Sequence, residues 1–362
     1  MTDTPYLTID LPRVDANLSS MARHCAELGV TLRPHAKTHK CIELARRQID
    51  SGAAGLTVAT IGEAEVFAAA AERTGCRDLF IAYPLWVTEH KGARMRALAQ
   101  TVSLRVGIDS VAGARRLAAE VVRPGVIVEA IIEVDSGHHR TGVPPEDAGT
   151  VAAAAATAGL DVVGVFTFPG HGYGPAAARA EAATAEADAL HKASESLRAN
   201  GIGPRVISGG STPTVGFARP GLLTELRPGV YLFNDAQQVE LGSAGFDDVA
   251  LTAVTAVVHR AGRQVVVDAG SKILGADRPA WASGFGRVID TPQARITALS
   301  EHHATLEYPA DATPAAVPDV GATVRVIPNH VCSAVNLVDE LVVHTATGEP
   351  LSWPVAARGA NS

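Results

Sequence analysis

The chain alternates short apolar runs with longer segments whose apolar residues recur every three to four positions. The short runs are rich in β-branched residues and predict strands, whereas the longer segments have the period of amphipathic helices. Eight such runs lie in the first two-thirds of the chain: Thr31–His35, Gly55–Ala59, Asp78–Tyr83, Val102–Asp109, Val126–Val134, Val162–Phe168, Arg205–Ser208 and Glu225–Phe233. The predicted helices between them include Ile61–Glu72, Ser110–Glu120, Pro145–Ala158 and Ala176–Ala199. This alternation predicts an α/β domain.

Eight β/α repeats within roughly 230 residues favour an N-terminal (β/α)8 TIM-type barrel. The alternative is a doubly wound open sheet, which is weakened because no GxGxxG motif follows the first strand. An earlier apolar run, Leu7–Ile9, precedes the first helical segment, and we expect it to pair with a later domain.

Beyond residue 241 the pattern changes to short alternating runs separated by Gly and Pro. The runs are Leu251–Val258, Gln264–Asp268, Gly286–Ile289, Thr305–Tyr308, Thr323–Ile327 and Glu340–Val343. They predict a C-terminal mainly-β domain. The expected domains are therefore residues 1–241 and 242–362 of the 362-residue chain.

Composition narrows the class of protein. The net charge of −7 argues against a general nucleic-acid binder. No apolar run has transmembrane length, and residues Met1–Thr4 lack the cationic and apolar regions of a signal peptide. The four cysteines lie far apart with no CxxC pair, which suits a reducing compartment. A cytoplasmic protein without membrane partners is expected.

Lys37 stands where the first predicted strand gives way to a loop, and the chemistry of a parallel barrel lies at such strand ends. It is either a solvated loop lysine or an amine that forms a Schiff base with a carbonyl compound. His35, His39 and Lys40 lie beside it, and neighbouring positive charge favours the neutral amine. Other strand ends carry Asp109, Asp135, His138, His139, Arg140, Phe168, His171 and Arg227.

A segment of small residues follows the seventh predicted strand: Ser208, Gly209, Gly210, Ser211 and Thr212. Glycines let backbone N–H groups approach an anion, and hydroxyls add donors, so this segment can hold a phosphate. The alternative is an ordinary tight turn, which the residues alone favour. Barrel phosphate sites often follow strands seven and eight. Together with Lys37, the segment meets the two needs of pyridoxal 5'-phosphate, which are a covalent anchor and an anion anchor.

His330 and Cys332 lie two positions apart in the β-rich region. If this segment is extended, both side chains point to one face and can bind one metal ion. The alternative is a buried cysteine beside a hydrogen-bonded histidine. Thiolate and imidazole favour zinc over magnesium, and two protein ligands leave positions open for water or substrate.

These segments, taken in order, resemble the fold-type III pyridoxal-phosphate enzymes, and within them the alanine racemase-like group of D-threonine aldolases and D-serine dehydratases. The resemblance covers essentially the whole chain. It includes Thr4–Leu11, Asn17-Leu18, Pro34–Lys40, Glu133–Gly137 with Arg140 and Gly142-Val143, Ser208–Thr214, Thr224–Gly229, Asp268–Lys272 and Pro328–Leu337.

The resemblance implies a homodimer that acts on a small D-amino acid. It implies Lys37 as the Schiff-base lysine, with His35 a further catalytic candidate, and Arg140 as the contact to the cofactor's phenolic oxygen. The phosphate would be held by Ser208, Gly209, Gly210, Ser211 and Thr212, with Tyr231 nearby. His330 and Cys332 would bind a divalent metal, with zinc expected and manganese or magnesium as alternatives.

Two lyase activities follow from the resemblance. A dehydratase would eliminate the β-hydroxyl of a D-3-hydroxy amino acid and release a keto acid and ammonia, whereas an aldolase would cleave the Cα–Cβ bond. The dehydratases of the group carry His-x-Cys, as this chain does, which favours dehydration. They also tend to show a histidine where Phe168 stands. A racemase lacks support because the context of Tyr308 does not match a second base, and a non-catalytic carrier would stop after the barrel.

Overall fold

The computed structural model describes residues 3–174 and 177–362. Met1 and Thr2 of the N-terminal segment, and Ala176 at the start of a predicted helix, lie outside the described residues. The chain forms two compact units. We name them the α/β unit, made of residues 21–37, 42–174, 177–229 and 360–362, and the β unit, made of residues 3–20, 38–41 and 230–359.

The α/β unit is built on eight parallel strands. They are β2 (Thr31–Leu32), β3 (Leu56–Val58), β4 (Asp78–Ile81), β5 (Ser103–Ile108), β6 (Val128–Glu133), β7 (Asp161–Phe166), β8 (Val206–Gly209) and β9 (Glu225–Leu226). Their order in the sheet is β2-β9-β8-β7-β6-β5-β4-β3. All eight predicted strands are confirmed. They appear in the sequence as apolar runs because parallel strands are buried on both faces of the sheet.

Backbone hydrogen bonds also join β2 to β3, the two ends of that order. Ala54 N donates to Leu32 O and Thr57 N donates to Pro34 O, both at 2.9 Å, and His35 forms a parallel bridge with Thr57. The sheet therefore returns on itself, as the barrel prediction expects and an open doubly wound sheet does not.

Helices alternate with the strands, and some of them begin at a residue whose side chain caps the first turn. The helices are α1 (Leu11–Leu28), α2 (Ile42–Asp50), α3 (Ile61–Ala69), α4 (Ala71–Thr74), α5 (Glu89–Leu98), α6 (Val111–Val121), α7 (Ala148–Thr157) and α8 (Ala178–Ala199). Thr60 and Ser110 cap α3 and α6 by accepting from the N–H groups of Glu63 and Gly113 at 2.9 and 3.1 Å. Such caps satisfy N–H groups that have no partner within the helix.

The β unit contains nine strands of a largely antiparallel sheet. They are β1 (Tyr6–Asp10), β10 (Leu251–Ala261), β11 (Gln264–Val267), β12 (Gly286–Val288), β13 (Thr291–Leu299), β14 (Ala304–Glu307), β15 (Thr323–Pro328), β16 (Glu340–His344) and β17 (Leu351–Pro354). Their order is β11-β14-β13-β12-β15-β10-β1-β16-β17, and β10 also pairs with β11. That last pairing closes six strands into a ring, so the predicted β-rich region is barrel-like. The unit also holds α9 (Ala236–Leu241), α10 (Ser271–Leu274) and α11 (Val331–Val335).

The N-terminal strand confirms the pairing expected for Leu7–Ile9. β1 runs antiparallel to β10 and parallel to β16. The first and last predicted strands were drawn too long. β2 ends at Leu32 rather than His35, and β9 ends at Leu226 while Val230–Leu232 forms a 3-10 turn. Pro228 lacks an N–H group for a ladder, and Gly229 weakens extended structure. In residues 3–174 and 177–362, no helix has the length and apolar character needed to span a membrane.

Candidate active site

Lys37 lies in the short 3-10 turn Ala36–Thr38 that follows β2, and its side chain is half-buried. The main chain before it is fixed, since His35 N donates to Pro228 O at 3.0 Å. Lys37 N in turn lies 3.4 Å from His35 Nδ1. These contacts place the lysine at the carboxyl end of the parallel sheet, as the sequence predicts.

A cavity of about 380 Å³ opens at this end of the sheet. Its volume is within the range of small-molecule sites. It brings together three of the predicted residues, His35, Lys37 and Arg140. The rest of its lining consists of Ala59, Thr60, Ala82, Tyr83, Thr141, Phe168 and Arg227. The predicted phosphate segment is not part of this lining.

Phe168 is the shared neighbour of the charged groups in the cavity. Its ring centroid is 6.0 Å from Lys37 Nζ and 5.3 Å from the Arg140 guanidinium carbon. The ring of His138 meets it edge to face at 5.6 Å between centroids. Cations at these distances are attracted to the ring face. The sequence marked Phe168 only as a departure from the dehydratases, and its contacts show it to be a wall of the cavity.

The predicted phosphate segment is a buried, tight loop whose donors are partly used within the protein. Gly210 N donates to Glu186 Oε1 at 2.6 Å, and Ser211 N donates to Thr214 Oγ1 at 3.0 Å. A side chain at Gly209 would collide with the Glu186 carboxyl, and Gly210 has a φ of +81°. The small residues fit a close-packed anion loop, but a phosphate would have to use donors other than these two N–H groups.

Arg227 links the cavity to that loop. It lines the cavity, its Nε donates to Ser208 Oγ at 2.7 Å, and its Nη2 donates to Thr167 O. Burial lowers the pKa of Arg227. The sequence placed Arg227 at a strand end without a role, and the structure puts a buried cation between the cavity and the loop.

Glu133 ends β6 and is buried next to Thr141 and Arg140, two residues that line the cavity. Thr141 Oγ1 donates to its Oε1 at 2.9 Å, whereas its Oε2 has no hydrogen-bond partner among the described residues. Burial raises the pKa of Glu133 to about 7. A carboxyl group that holds its proton near neutral pH beside Arg140 is a candidate for proton exchange.

His138 and His171 come from the loops after β6 and β7, and each ring packs against a glycine of the other loop. A Cβ atom added to Gly170 would lie 2.7 Å from the His138 ring, and one added to Gly137 would lie 3.3 Å from the His171 ring. Burial lowers the pKa of both histidines, and Arg140 lowers that of His138 further. His171 Nδ1 is buried with no hydrogen-bond partner in the described part of the chain. The direction of both pKa shifts favours the neutral imidazole.

Tyr231 is buried in the 3-10 turn Val230–Leu232 of the β unit rather than on a strand of the α/β unit. Its predicted position beside the phosphate came from the family resemblance alone. The role of Tyr231 stays a prediction.

The geometry predicted for the metal pair is wrong in one respect. His330 is extended, but Cys332 lies in the first turn of α11, so the two do not share the face of a strand. They nevertheless interact through a side-chain hydrogen bond. Cys332 Sγ is also 3.3 Å from the hydroxyl oxygen of Thr38, the residue that follows Lys37. Because Cys332 lies in the first turn of α11, its thiol is turned back toward His330, the N-cap residue of that helix. A helical turn, rather than the shared face of a strand, therefore brings the two side chains together.

Asp277 completes the surroundings of His330, and sequence reasoning missed it. Its Oδ2 is 2.7 Å from His330 Nδ1 and accepts a hydrogen bond from Ser333 Oγ. Although burial works in the opposite direction, Cys332, Asp277 and Asp235 raise the pKa of His330 well above its usual value. Asp277 lies 53 residues before His330, so no local motif could have revealed it.

The donor set fits a metal held by few protein ligands. Within residues 3–174 and 177–362, no three His, Cys, Asp or Glu side chains are arranged to hold an ion. His330 and Cys332 supply one imidazole and one thiol side by side, which suits zinc and similar ions. The remaining positions would belong to water or substrate.

Two family models match the chain. Residues 9–237 match "Alanine racemase, N-terminal domain", and residues 250–344 match "Putative serine dehydratase domain". The first match contains the α/β sheet with Lys37, and the second contains the His330–Cys332 pair.

Curated relatives match along almost the whole chain. D-threo-3-hydroxyaspartate dehydratase from Delftia sp. (strain HT23) is 34% identical, with 97% of this chain and 96% of the relative covered. D-threonine aldolase from Arthrobacter sp. is 32% identical, with coverages of 99% and 93%. The solved structure of the Delftia dehydratase superposes with a TM-score of 0.89 at 31% identity, covering 98% of this chain and 97% of that chain.

Two variants of a D-threo-3-hydroxyaspartate dehydratase have also been solved, with TM-scores of 0.89. One replaces a histidine by alanine, and the other replaces a cysteine two positions further along and is described as metal-free. His330 and Cys332 have the same spacing. With a family model matched over more than half of its length and relatives above 30% identity along nearly all of it, the chain belongs to the alanine racemase-like family whose N-terminal domain is joined to a serine dehydratase domain.

Proposed function

We propose that this protein is a pyridoxal-phosphate- and metal-dependent lyase that removes water from D-3-hydroxy amino acids, with a keto acid and ammonia as products. The observation that carries the proposal is the position of Lys37, half-buried at the carboxyl end of the sheet in a 380 Å³ cavity shared with Arg140. The named activities of the relatives from Delftia and Arthrobacter support the same class of substrate.

The residues of the cavity divide the work. Lys37 would hold pyridoxal phosphate covalently and take the proton from the substrate's Cα, while Arg140 would donate hydrogen bonds to the cofactor's phenolic oxygen. The cofactor, when bound, supplies an electron sink for the negative charge at Cα. His35, whose Nδ1 lies 3.4 Å from Lys37 N, would orient the turn that carries Lys37. The loop Ser208–Thr212 would hold the phosphate, with Tyr231 as a further contact.

His330 and Cys332 would hold the divalent metal, which supplies a Lewis acid for the departing β-hydroxyl. Three observations support this part of the proposal. The two side chains are hydrogen-bonded to each other, their chemistry favours zinc over magnesium, and their spacing matches that of the altered residues in the solved dehydratase variants. Manganese and magnesium remain the alternative metals.

Retro-aldol cleavage is the second candidate activity, and His171 is the observation that favours it. Cleavage of the Cα–Cβ bond needs a neutral base for the β-hydroxyl. Burial lowers the pKa of His171, whose Nδ1 accepts no hydrogen bond from any described residue. The D-threonine aldolase relative shows that this family supports such cleavage.

Product analysis separates the two activities. The protein, loaded with pyridoxal phosphate and zinc or manganese, is incubated separately with D-threo-3-hydroxyaspartate, D-serine and D-threonine. Keto acid and ammonia in equal amounts would establish dehydration, whereas glycine and an aldehyde would establish cleavage. If neither pair of products forms from any of the three substrates, the proposal is overturned. Racemised amino acid as the sole product would support the racemase alternative instead.

Replacing Lys37 tests the cofactor assignment. We expect Lys37→Ala to lose the absorbance of covalently bound pyridoxal phosphate and to lower kcat by about 10³-fold or more, since both the anchor and the base are removed. Lys192→Ala, a change of an exposed lysine in α8, is the matched control and should leave both unchanged. Retention of the absorbance in Lys37→Ala would contradict the assignment.

Three further expectations remain proposals. They are a TIM-type barrel that binds the cofactor within residues 1–241, a metal-carrying domain within residues 242–362, and a homodimer. Light scattering of the loaded protein gives its mass and so checks the dimer, while limited proteolysis checks the boundary.

A further inference from the structure

Three contacts fasten Asp277 to the segment that carries His330. Asn329 Nδ2 donates to the backbone oxygen of Asp277 at 2.9 Å and also to Gly284 O at 2.6 Å. Ser333 Oγ donates to Asp277 Oδ2. The same carboxyl oxygen lies 2.7 Å from His330 Nδ1. Main chain and side chain of Asp277 are thus both held, although the residue is largely exposed to solvent.

The contact with Asp277 determines which nitrogen of His330 can act as a ligand. A carboxylate accepts hydrogen bonds only, so at 2.7 Å the proton lies on Nδ1 and points at Asp277. The proton that a metal ion would replace is then the one on Nε2, and the ring cannot rotate about its Cβ–Cγ bond without breaking the hydrogen bond to Asp277. A histidine with no such partner would exchange between tautomers and ring orientations.

We propose that Asp277 is a positioning residue that fixes the tautomer and ring orientation of His330 for metal binding. This inference rests on the proposed metal site and adds to it a residue of this chain that does not touch the metal. No triad of His, Cys, Asp or Glu side chains within the described ranges is arranged to hold an ion, which places Asp277 behind His330 rather than beside it as a ligand. Carboxylates in this position typically contribute 10–100-fold to metal affinity.

The test uses the full-length, pyridoxal-phosphate-loaded protein after metal removal by dialysis. Zinc affinity is measured by competition with a chromophoric chelator for wild type, Asp277→Asn and Asp277→Glu. We expect Asp277→Asn to weaken zinc binding by about 10–100-fold, because an amide can present its NH2 group to Nδ1 and no longer selects the tautomer. Asp277→Glu should recover part of the loss.

Two controls separate positioning from a general structural effect. Asp290→Asn changes an exposed carboxylate of the same unit that pairs with Arg325, and its zinc affinity should stay within twofold of wild type. The melting temperature of the metal-free Asp277→Asn protein should match that of metal-free wild type. If the metal-free variant melts much lower and Asp277→Glu restores no affinity, Asp277 has only a structural role and the inference is overturned.

Cobalt substitution distinguishes positioning from direct ligation. The visible bands of the Co²⁺-loaded protein report the number and type of ligands, so they should be the same for wild type and a saturated Asp277→Asn variant. A change of coordination number in the variant would overturn the inference and make Asp277 a ligand. Asp277→Asn with wild-type zinc affinity would overturn the inference but leave the metal site intact. A wild-type protein that binds no zinc or cobalt would overturn both.

Discussion

Buried glutamates at the two ends of the eight-stranded sheet differ in how they carry charge. Toward the amino ends of the strands, Glu225 accepts from Arg33 Nε at 2.9 Å and lies 3.4 Å from Arg105 Nη1. Although burial works in the opposite direction, these two guanidinium groups hold the pKa of Glu225 below its usual range. Arg105 and Arg33 are paired further with Glu129 and Asp78.

At the carboxyl ends, the buried carboxyl groups have few partners. Glu133 accepts one hydroxyl hydrogen bond, and Glu186 accepts the N–H of Gly210. Burial raises the pKa of each to about 7.

An aromatic layer lies between the two sets of charges. The rings of Phe80 and Phe166 meet edge to face with centroids 5.1 Å apart. The guanidinium carbon of Arg105 is 5.8 Å from the Phe80 ring, and that of Arg227 is 5.6 Å from the same ring. Both ends thus place cations over aromatic rings, but at the amino ends the carboxylates are also paired with those cations.

The comparison separates a structural use of carboxylates from a chemical one. Several cations around one carboxylate keep it charged, whereas an apolar site with few donors keeps it protonated near neutral pH. Groups that titrate near pH 7 are the ones that proton-transfer chemistry needs. The same residue type therefore belongs to an ion-pair network at one end of the sheet and has a pKa near neutral at the other.

The largest expected effect is the loss of the Glu225 charge from its ion-pair network with Arg33 and Arg105. We expect Glu225→Gln to reduce the free energy of unfolding by about 3–5 kcal/mol, because Arg33 and Arg105 would remain buried with their shared carboxylate gone. Urea unfolding at pH 7.5 measures the loss. Glu195→Gln, at an exposed position of α8, is the matched control. A loss below about 1 kcal/mol would show that the network is not needed to keep the charges buried.

The second prediction concerns Glu186, whose folded pKa is raised by burial from 4.5 to about 7. Between these values the folded state binds more protons than the unfolded chain, so stability falls as pH rises from 4.5 to 7 and then stays level. Glu186→Gln keeps the acceptor for Gly210 but cannot ionise. We therefore expect the stability of wild type relative to Glu186→Gln to fall by on the order of 3 kcal/mol between pH 4.5 and 8.

Unfolding curves for both proteins across this pH range test the prediction, with Glu195→Gln as the control for a glutamate in the same helix. Parallel pH dependences for wild type and Glu186→Gln would mean that Glu186 ionises as freely in the folded state as in the unfolded one.

The sheet of the α/β unit was predictable from the sequence because its strands are buried on both sides and appear as uninterrupted apolar runs. Strands with one face exposed to solvent were harder to predict from the sequence. β13 alternates buried and exposed residues and contains Pro292, and β17 is largely exposed, so neither has a strong apolar run. The shared cavity of Lys37 and Arg140 was also predictable, since each follows a strand end, and the closeness of His330 and Cys332 follows from a short motif. The roles of these residues stay predictions.

Other parts of the site depend on tertiary structure. Glu133 and Glu186 are polar residues that a sequence pattern assigns to the surface, and only the fold shows them to be buried. Asp277 meets His330 across 53 residues of chain, and Cys332 contacts Thr38 across 294. No local spacing contains such pairings. The helical position of Cys332 was missed because Val331 and Val335 within α11 are β-branched and favour strands.

The smallest expected effect comes from an arginine–carboxylate ion pair like those around Glu225, but exposed to solvent instead of buried. Arg46 Nε is 3.3 Å from Asp50 Oδ2 on the surface of α2, and both side chains are more than 60% exposed. Water and salt screen this pair, and both side chains lose rotamer freedom to form it. We expect Asp50→Asn to cost about 0.3–0.5 kcal/mol in urea unfolding at low salt, and less in 1 M NaCl. If the cost approached that of Glu225→Gln, burial would not be what separates the two pairs, and the contrast between the ends of the sheet would have to be explained by geometry alone.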